Sequence, residues 1–236
     1  MITPRISFVM PTRDRDCMIK EAIESIINQT ENCWELILVD DHSQPNDKTE
    51  EIAKSFKDER IRYFRLPDGN GVGIPAARNF GNILTAAPFI AVMDSDDICY
   101  PDRLALTIDA FEKKKADVVY GQVDIWYEDT GEVRLRDDDH AARPFNLHEF
   151  KSFDFIPHPT VAYRRDLALE FPYNSFFRKA SDYDLLSRMF KYNSNFYYIE
   201  SPLVKYRKHQ NSTVSIGKDG FNYSKMVKIS RSWIDS

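Results

Sequence analysis

Residues 89–97, FIAVMDSDD, decide the fold, because five apolar residues lead directly into three aspartates within four positions. A short, continuous apolar run is typical of a strand that is buried on both faces of a parallel sheet. Like charges placed this close together resist burial unless a cation or hydrogen-bond donors compensate them. We therefore predict that a buried strand delivers Asp94, Asp96 and Asp97 to a cation-binding site.

Three further apolar runs precede this strand, and amphipathic stretches separate all of them; the runs cover 6–10, 35–39 and 61–66. Helices are predicted over 18–27, where apolar residues recur every four positions, and onward from Asp47, Pro75 and the vicinity of Pro101. This alternation predicts an α/β fold with a mostly parallel central sheet and helices on both faces. Such sheets bind ligands at the carboxyl ends of their strands.

The pattern changes after residue 118. Strands over 119–127 and 132–135 are predicted to form a hairpin, and an irregular stretch follows. Beyond it we predict a helix over 182–192, a strand pair over 196–199 and 203–207, and a final helix over 223–233. No linker or repeat divides the chain, so we expect a single domain over 1–236, with halves 1–120 and 121–236, the second of them smaller and irregular.

Composition excludes several classes of function. A net charge of −5 and a pI near 5.6 argue against a nucleic-acid partner. Three cysteines without CxxC spacing indicate neither a disulfide framework nor a zinc site, and the apolar run 6–10 is too short for a signal peptide, so we expect a cytoplasmic protein. The final predicted helix leaves three docking partners open: its own domain, a second subunit in a homodimer, or the inner face of a membrane as a peripheral contact.

Polar or glycine-rich residues follow each of the four predicted strands and should cluster; they are 12–14, 40–41, 68–73 and 94–97. Carboxylate oxygens select Mg²⁺ or Mn²⁺, which keep ligand positions for phosphates, so a diphosphate is the expected partner. An EF-hand is excluded, because Cys99 and Ala105 stand where its loop needs Gly and Glu. The alternative is a solvated acidic loop in which Asp102 caps the next helix.

Six segments in order resemble the family 2 glycosyltransferases of the GT-A fold. They are ISFVMPTRDR (6–15), WELILVDDHS (34–43), NGVGIPAARNFG (70–81), FIAVMDSDDICYPDRL (89–104), SDYDLLSRM (181–189) and YRKHQNST (206–213). Each motif is modest alone, but their order makes the resemblance specific, and it covers nearly the whole chain. The resemblance implies a Rossmann-like domain with a nucleotide-sugar-binding half at 1–120 and an acceptor-binding half at 121–236.

The resemblance also implies an activity: inverting transfer of a sugar from a nucleoside-diphosphate sugar, with UDP favoured, to a hydroxyl of a saccharide or lipid-linked saccharide. Carried over by position, the nucleotide-binding residues are Pro11, Thr12, Arg13, Asp41, Arg78 and Asp96. The metal ligands for Mn²⁺ or Mg²⁺ fall on Asp97, Asp96 and His209. Arg13 departs from members that place an aromatic ring there, although a guanidinium can also stack on a base.

By the same resemblance Asp182 is the catalytic base that takes the proton from the acceptor hydroxyl. The family commonly has a Glu-Asp pair here, whereas Ser181 precedes Asp182 in this chain. Asp184 is the fallback, although two residues further along a helix it should point away from Asp182. His158 lies where the family binds acceptors, so His158 and Asp184 are acceptor-side candidates.

Two other functions are weighed against transfer. Residues 94–98 approximate the nucleophile loop of HAD-type phosphatases, in which the first aspartate, here Asp94, forms an aspartyl-phosphate. Such loops follow the first strand of their chain, whereas this one follows the fourth predicted strand. The second alternative is a carbohydrate-binding module that keeps the GT-A fold without turnover.

Overall fold

The computed structural model describes residues 3–67, 71–152, 154–177, 180–192 and 194–209. Its strands are β1 (Ile6–Thr12), β2 (Trp34–Asp40), β3 (Ile61–Arg65), β4 (Phe89–Val92), β5 (Ile98–Cys99), β6 (Val118–Tyr127), β7 (Val133–Leu135), β8 (Ala162–Arg164) and β9 (Phe196–Lys208). Its helices are α1 (Ile19–Ile27), α2 (Thr49–Ser55), α3 (Ile74–Leu84), α4 (Arg103–Lys113), α5 (Leu147–Ser152), α6 (Arg165–Glu170) and α7 (Ser181–Lys191).

One sheet has the strand order β3-β2-β1-β4-β8-β6-β9-β5, with β7 hydrogen-bonded to β6. β1 runs parallel to β2 and β4, β2 runs parallel to β3, and β6 runs parallel to β9. β8 is antiparallel to both β4 and β6, so these two strands point the same way. The carboxyl ends of β1, β2, β4 and β6 therefore lie at one edge, and the predicted mostly parallel sheet is confirmed.

Side chains on neighbouring strand positions enter two separate hydrophobic cores. Phe8 packs in a core with Ile23 of α1 and Ile108 of α4, on one face of the sheet. Val9, the next residue, packs with Ala77 of α3 and Leu186 of α7 on the other face. Alternation follows from the two-residue period of a strand. Because both faces are covered, polar groups of these central strands meet a ligand only where the strands end.

Most predicted elements are present, with ends shifted by one or two residues, and the β6–β7 hairpin is antiparallel as expected. The predicted pair of strands over 196–207 is wrong: β9 is one strand that continues through Pro202. Its pairing with β6 shifts register at Gln122, which pairs with Pro202. A proline, which lacks an N–H donor, is tolerated at such an irregularity.

The helix predicted over 223–233 lies outside the described residues. Each helix in the described part of the chain is too short or too polar to span a bilayer.

Candidate active site

The ends of β1 and β2 are joined to the loop that precedes α3. The Asp41 N–H donates to the carbonyl oxygen of Thr12 at 2.8 Å. The Asp41 carboxylate accepts hydrogen bonds from the N–H groups of Val72 at 2.6 Å and Gly73 at 2.9 Å. The clustering expected for these strand ends is present, and Asp41 holds the loop in place.

Gly71 lies between Arg13 and Asp41, two of the predicted nucleotide-binding residues. A Cβ at Gly71 would be 2.4 Å from Arg13 Nη1 and 3.0 Å from Asp41 Oδ2, and the Gly71 φ is +73°. The positive φ favours glycine, since other residues rarely adopt it, and a larger residue would also have to displace the end of the Arg13 side chain. Pro11 and Thr12 are buried beside them, and the Thr12 hydroxyl has no hydrogen-bond partner within the described ranges.

Arg78 and Asp94 form a close ion pair at this edge. Arg78 Nη2 donates to Asp94 Oδ1 at 2.6 Å, and the Arg78 side chain is almost fully buried. Burial lowers the pKa of Arg78, but the charge and hydrogen bond of Asp94, together with Tyr173 and Asp182, outweigh burial, so the net pKa is raised. Burial raises the pKa of Asp94, as do the charges of Asp96 and Asp182, against the opposing effect of Arg78. Asp94 therefore compensates the buried positive charge of Arg78.

Asp96, Asp97 and His209 come together on the other side of the acidic segment. His209 Nε2 lies 3.3 Å from Asp96 Oδ2, as the predicted proximity of His209 to this segment requires. Asp97 is 1% exposed; its Oδ1 accepts the Arg207 N–H at 2.9 Å, while its buried Oδ2 has no partner among the residues that the structure describes. Burial and the charges of Asp96 and Asp94 raise the pKa of Asp97 well above its usual range.

These groups suit a divalent cation, although they are not a preassembled cage. In the described ranges, no three His, Cys, Asp or Glu side chains are arranged to hold a metal ion. The unpartnered Oδ2 of Asp97 and the nearby Asp96 and His209 offer the oxygen and imidazole donors that Mn²⁺ accepts. Mg²⁺ and Mn²⁺ sites commonly complete their shells with waters and substrate phosphates, so a partial donor set fits this kind of ion.

Arg207, which sequence reasoning missed, fixes the acidic segment. Its Nε donates to the Asp96 carbonyl oxygen at 2.8 Å, Nη1 donates to Glu128 at 2.8 Å, and Nη2 donates to Glu21. Its guanidinium lies 4.2 Å from the centroid of the Trp126 ring. The signal in the sequence was its position two residues before His209, at the end of a predicted strand.

Asp182 lies in the first turn of α7, where its Oδ1 accepts the Tyr183 N–H at 2.9 Å. Asp154, a second residue missed by sequence reasoning, lies within electrostatic range of Asp182: burial, and then the Asp182 charge, raise the pKa of Asp154 to about 8. Asp184 is completely buried and accepts from Arg188 Nε at 2.9 Å. Asp182 is thus the partly exposed carboxylate of α7, and the geometry gives Asp184 no surface for an acceptor.

His158 is buried in a polar network. Its Nε2 lies 2.9 Å from the Tyr173 hydroxyl, and its Nδ1 has no partner among the described residues. Burial and the neighbouring Arg78 charge hold the pKa of His158 well below its usual value, so the ring is neutral. At 6% exposure the imidazole has little surface for an acceptor, and the environment favours a structural role.

The class of protein follows first from the sheet, whose parallel strands gather polar side chains at one carboxyl edge, as in the α/β proteins that bind nucleotides. The sequence profile of glycosyl transferase family 2 matches residues 7–186, and the chain belongs to that family. Membership in this family argues against the alternative that the chain is a HAD-type phosphatase. Asp94, its supposed nucleophile, is paired with Arg78 and follows the fourth strand rather than the first.

Similar proteins agree with this assignment. An uncharacterized glycosyltransferase of Methanocaldococcus jannaschii is 28% identical over 213 residues, which cover 88% of this chain and 72% of the relative. Escherichia coli WfgD, a UDP-Glc:alpha-D-GlcNAc-diphosphoundecaprenol beta-1,3-glucosyltransferase, is 32% identical over 120 residues, which cover 51% of this chain and 46% of WfgD.

The crystal structure of S. aureus TarS 1-349 in complex with UDP-GlcNAc superposes on this chain with a TM-score of 0.75 at 17% sequence identity. The superposition covers 96% of this chain and 64% of TarS 1-349. The chain thus spans less than half of WfgD and less than two thirds of that TarS chain. The structural likeness confirms the predicted fold class.

Proposed function

We propose that this chain is an inverting glycosyltransferase that moves a sugar from a nucleoside-diphosphate sugar, with UDP favoured, to a hydroxyl of a saccharide or lipid-linked saccharide. One observation carries the proposal: buried Arg78 pairs with Asp94, and the charge of Asp182 acts on both. Arg78, a cation suited to a diphosphate, and Asp182, a carboxylate suited to accept a proton, therefore lie within electrostatic range of each other. WfgD, by its name, uses UDP-Glc and a diphosphoundecaprenol-linked acceptor, which supports UDP and the lipid-linked acceptor class.

The donor contacts in this proposal follow the strand ends. Arg13 and Asp41 border the loop at Gly71 and would contact the nucleobase, while the partly exposed carboxylate of Asp96 would bind ribose hydroxyls. Arg78 would neutralise the diphosphate, because a buried guanidinium attracts a phosphate more strongly than an exposed one does. Pro11 and Thr12 line the same strand end.

In the reaction Asp182 accepts the acceptor hydroxyl proton as that oxygen forms its bond to the anomeric carbon. The bond from this carbon to the diphosphate oxygen breaks on the opposite side, so the configuration inverts. Arg78 stabilises the negative charge that grows on the leaving diphosphate. A divalent cation bound by Asp97, Asp96 and His209 would supply further charge neutralisation there.

Binding and turnover test the proposal separately. Calorimetric titration with UDP, GDP and CDP, each with Mn²⁺ or with EDTA, should show one preferred nucleotide whose affinity falls when metal is removed. Release of that nucleotide from its sugar donors, with saccharide and lipid-linked acceptors present, measures transfer, and NMR of the product reports the anomeric configuration. A nucleotide affinity that EDTA does not lower would contradict the metal site, and a product with retained anomeric configuration would contradict the mechanism.

The second candidate, a carbohydrate-binding module without turnover, makes a different prediction in the same assays. The module would bind the sugar nucleotide but release no nucleotide with any acceptor. Substitution of Asp182 would then leave sugar-nucleotide binding unchanged, and neither wild type nor the variant would form product.

A further inference from the structure

Tyr173 contacts Arg78 from a distant part of the chain, and no motif in the sequence singled it out. We propose that Tyr173 is the positioning residue for Arg78: its ring face holds the guanidinium in the orientation that receives the donor diphosphate. This inference rests on the proposed function, because it assumes that Arg78 binds the diphosphate.

A pair of hydrogen bonds fixes the Tyr173 backbone to the helix that carries Arg78. Asn79 Nδ2 donates to the Tyr173 carbonyl oxygen at 2.8 Å, and the Tyr173 N–H donates to Asn79 Oδ1 at 2.7 Å. Asn79 follows Arg78 directly in α3. The side-chain amide thus satisfies both backbone groups of Tyr173, which ties that residue to the turn of helix from which Arg78 projects.

The ring of Tyr173 is positioned for a cation–π contact. Arg78 Cζ lies 5.5 Å from the ring centroid, within the distance over which an aromatic face attracts a guanidinium. Tyr173 is 2% exposed, so water does not weaken this attraction. The His158 ring meets the Tyr173 ring edge to face, with centroids 5.7 Å apart and an interplanar angle of 86°.

Two polar groups contact the Tyr173 hydroxyl, and a third supports one of them. The Tyr173 hydroxyl lies 2.9 Å from His158 Nε2 and 3.1 Å from the Tyr163 hydroxyl. Asn82 Nδ2, one turn along α3 from Asn79, donates to the Tyr163 hydroxyl at 3.4 Å. The hydroxyl therefore cannot move away without breaking buried hydrogen bonds, which are costly to leave unmade, and the edge-to-face contact with the His158 ring restricts rotation of the Tyr173 ring plane.

Arg78 needs such support because its ion pair does not use every donor of the guanidinium. In the part of the chain that the structure describes, Arg78 pairs through Nη2 with Asp94, while its buried Nε has no hydrogen-bond partner. Without the Tyr173 ring, the buried guanidinium would shift towards Asp94 or towards water, and so away from the diphosphate. Loss of the Tyr173 ring should therefore weaken donor binding through Arg78.

A double-mutant cycle tests this. The variants are Tyr173→Leu, Tyr173→Phe, Arg78→Met and the double variant Arg78→Met with Tyr173→Leu; the probe is the nucleoside diphosphate, from UDP, GDP and CDP, that wild type binds most tightly with Mn²⁺. Calorimetry should show about tenfold weaker binding for Tyr173→Leu and less than about threefold for Tyr173→Phe, which keeps the ring face. In the Arg78→Met background, Tyr173→Leu should cause no further loss.

Equal losses from Tyr173→Leu in both backgrounds, or unchanged affinity in the wild-type background, would overturn the inference. If Tyr173→Leu does not fold, as judged by thermal unfolding, Asn79→Ala replaces it in the cycle and should weaken binding about threefold only when Arg78 is present. A wild-type chain that binds none of the three nucleotides would overturn the proposed function, and the role of Tyr173 with it. Nucleotide binding that Arg78→Met leaves unchanged would overturn the role of Arg78 and the inference about Tyr173 with it, while the proposed function would stand.

Discussion

Arg207 donates its backbone N–H to the Asp97 carboxylate at 2.9 Å, across 110 positions of sequence, and its side chain donates to the Asp96 carbonyl oxygen at 2.8 Å. One residue at the end of β9 thus donates hydrogen bonds to two adjacent aspartates that follow β4. The shape of the acidic segment is consequently set by the second half of the chain. Any ligand of these aspartates also depends on Arg207.

Arg207→Met should lower both stability and metal affinity. The side chain is 3% exposed and bonds to Asp96, Glu21 and Glu128, so its loss should reduce the free energy of unfolding by about 2 kcal/mol. The Asp96 carbonyl oxygen also loses its donor, which frees the acidic segment to move. Urea unfolding and Mn²⁺ titration measure the two effects.

Lys208→Met is the matched control, because Lys208 is the exposed neighbour of Arg207 in β9. It should change neither quantity appreciably. Equal metal affinity for Arg207→Met and wild type would show that the acidic segment keeps its shape without this arginine.

Asp97→Asn should separate stability from function. Asp97 Oδ2 is buried and unpartnered among the described residues, and Asp96 and Asp94 add repulsion, so the neutral amide should raise the free energy of unfolding in EDTA by about 1 kcal/mol. Asparagine keeps the Oδ1 acceptor for the Arg207 N–H. Added Mn²⁺ should then stabilise wild type but not the variant.

Thermal unfolding of both proteins in EDTA and across a Mn²⁺ series gives the comparison. Glycosyl transfer by Asp97→Asn should fall at least about a hundredfold. An equal Mn²⁺-dependent rise in midpoint for both proteins would place the metal elsewhere.

The sheet was predictable because its signals are local. The continuous apolar runs at 6–10 and 35–39 identified β1 and β2, and the rule that parallel strands present ligands at their carboxyl ends placed Asp41 near Thr12. β5 and β8 were missed because two or three residues carry no period. Pro202 suggested a break that a register shift in β9 absorbs.

The site was predictable only where a strand end or a motif marked it. Arg207, Asp154 and Tyr173 reach it through contacts between distant segments, which no spacing in the sequence reports. Asp184 was expected to point away from Asp182, since two residues along a helix turn a side chain away, but its burial was not foreseen. The burial of His158 was not foreseen either, because it depends on Tyr173 arriving from elsewhere.

Asp182→Asn and Asp184→Asn should have opposite effects. Asp182→Asn removes the proposed proton acceptor and should lower the rate of transfer by about a hundredfold to ten-thousandfold with little change in stability. Asp184→Asn breaks a buried pair with Arg188 and should cost about 2 kcal/mol of unfolding free energy, with the folded protein still active. Rates under saturating donor and urea unfolding distinguish them; transfer that survives Asp182→Asn but not Asp184→Asn would reverse the assignment.

His158 should make the fold sensitive to acid. Burial and Arg78 depress its folded-state pKa well below the unfolded value of about 6.5, so the unfolded chain binds an extra proton as the pH falls through that value. The stability from this group is fully present above pH 6.5 and declines below it, by up to about 1.4 kcal/mol per pH unit. His158→Gln, which cannot take up the proton, should lack this component.

Urea unfolding at pH 7.5, 6.5 and 5.5 should therefore show a stability difference between wild type and His158→Gln that is constant above pH 6.5 and shifts against wild type below it. His148→Gln, at an exposed position, should track wild type throughout, and parallel pH profiles for wild type and His158→Gln would mean that His158 is protonated in the folded protein as easily as in the unfolded chain.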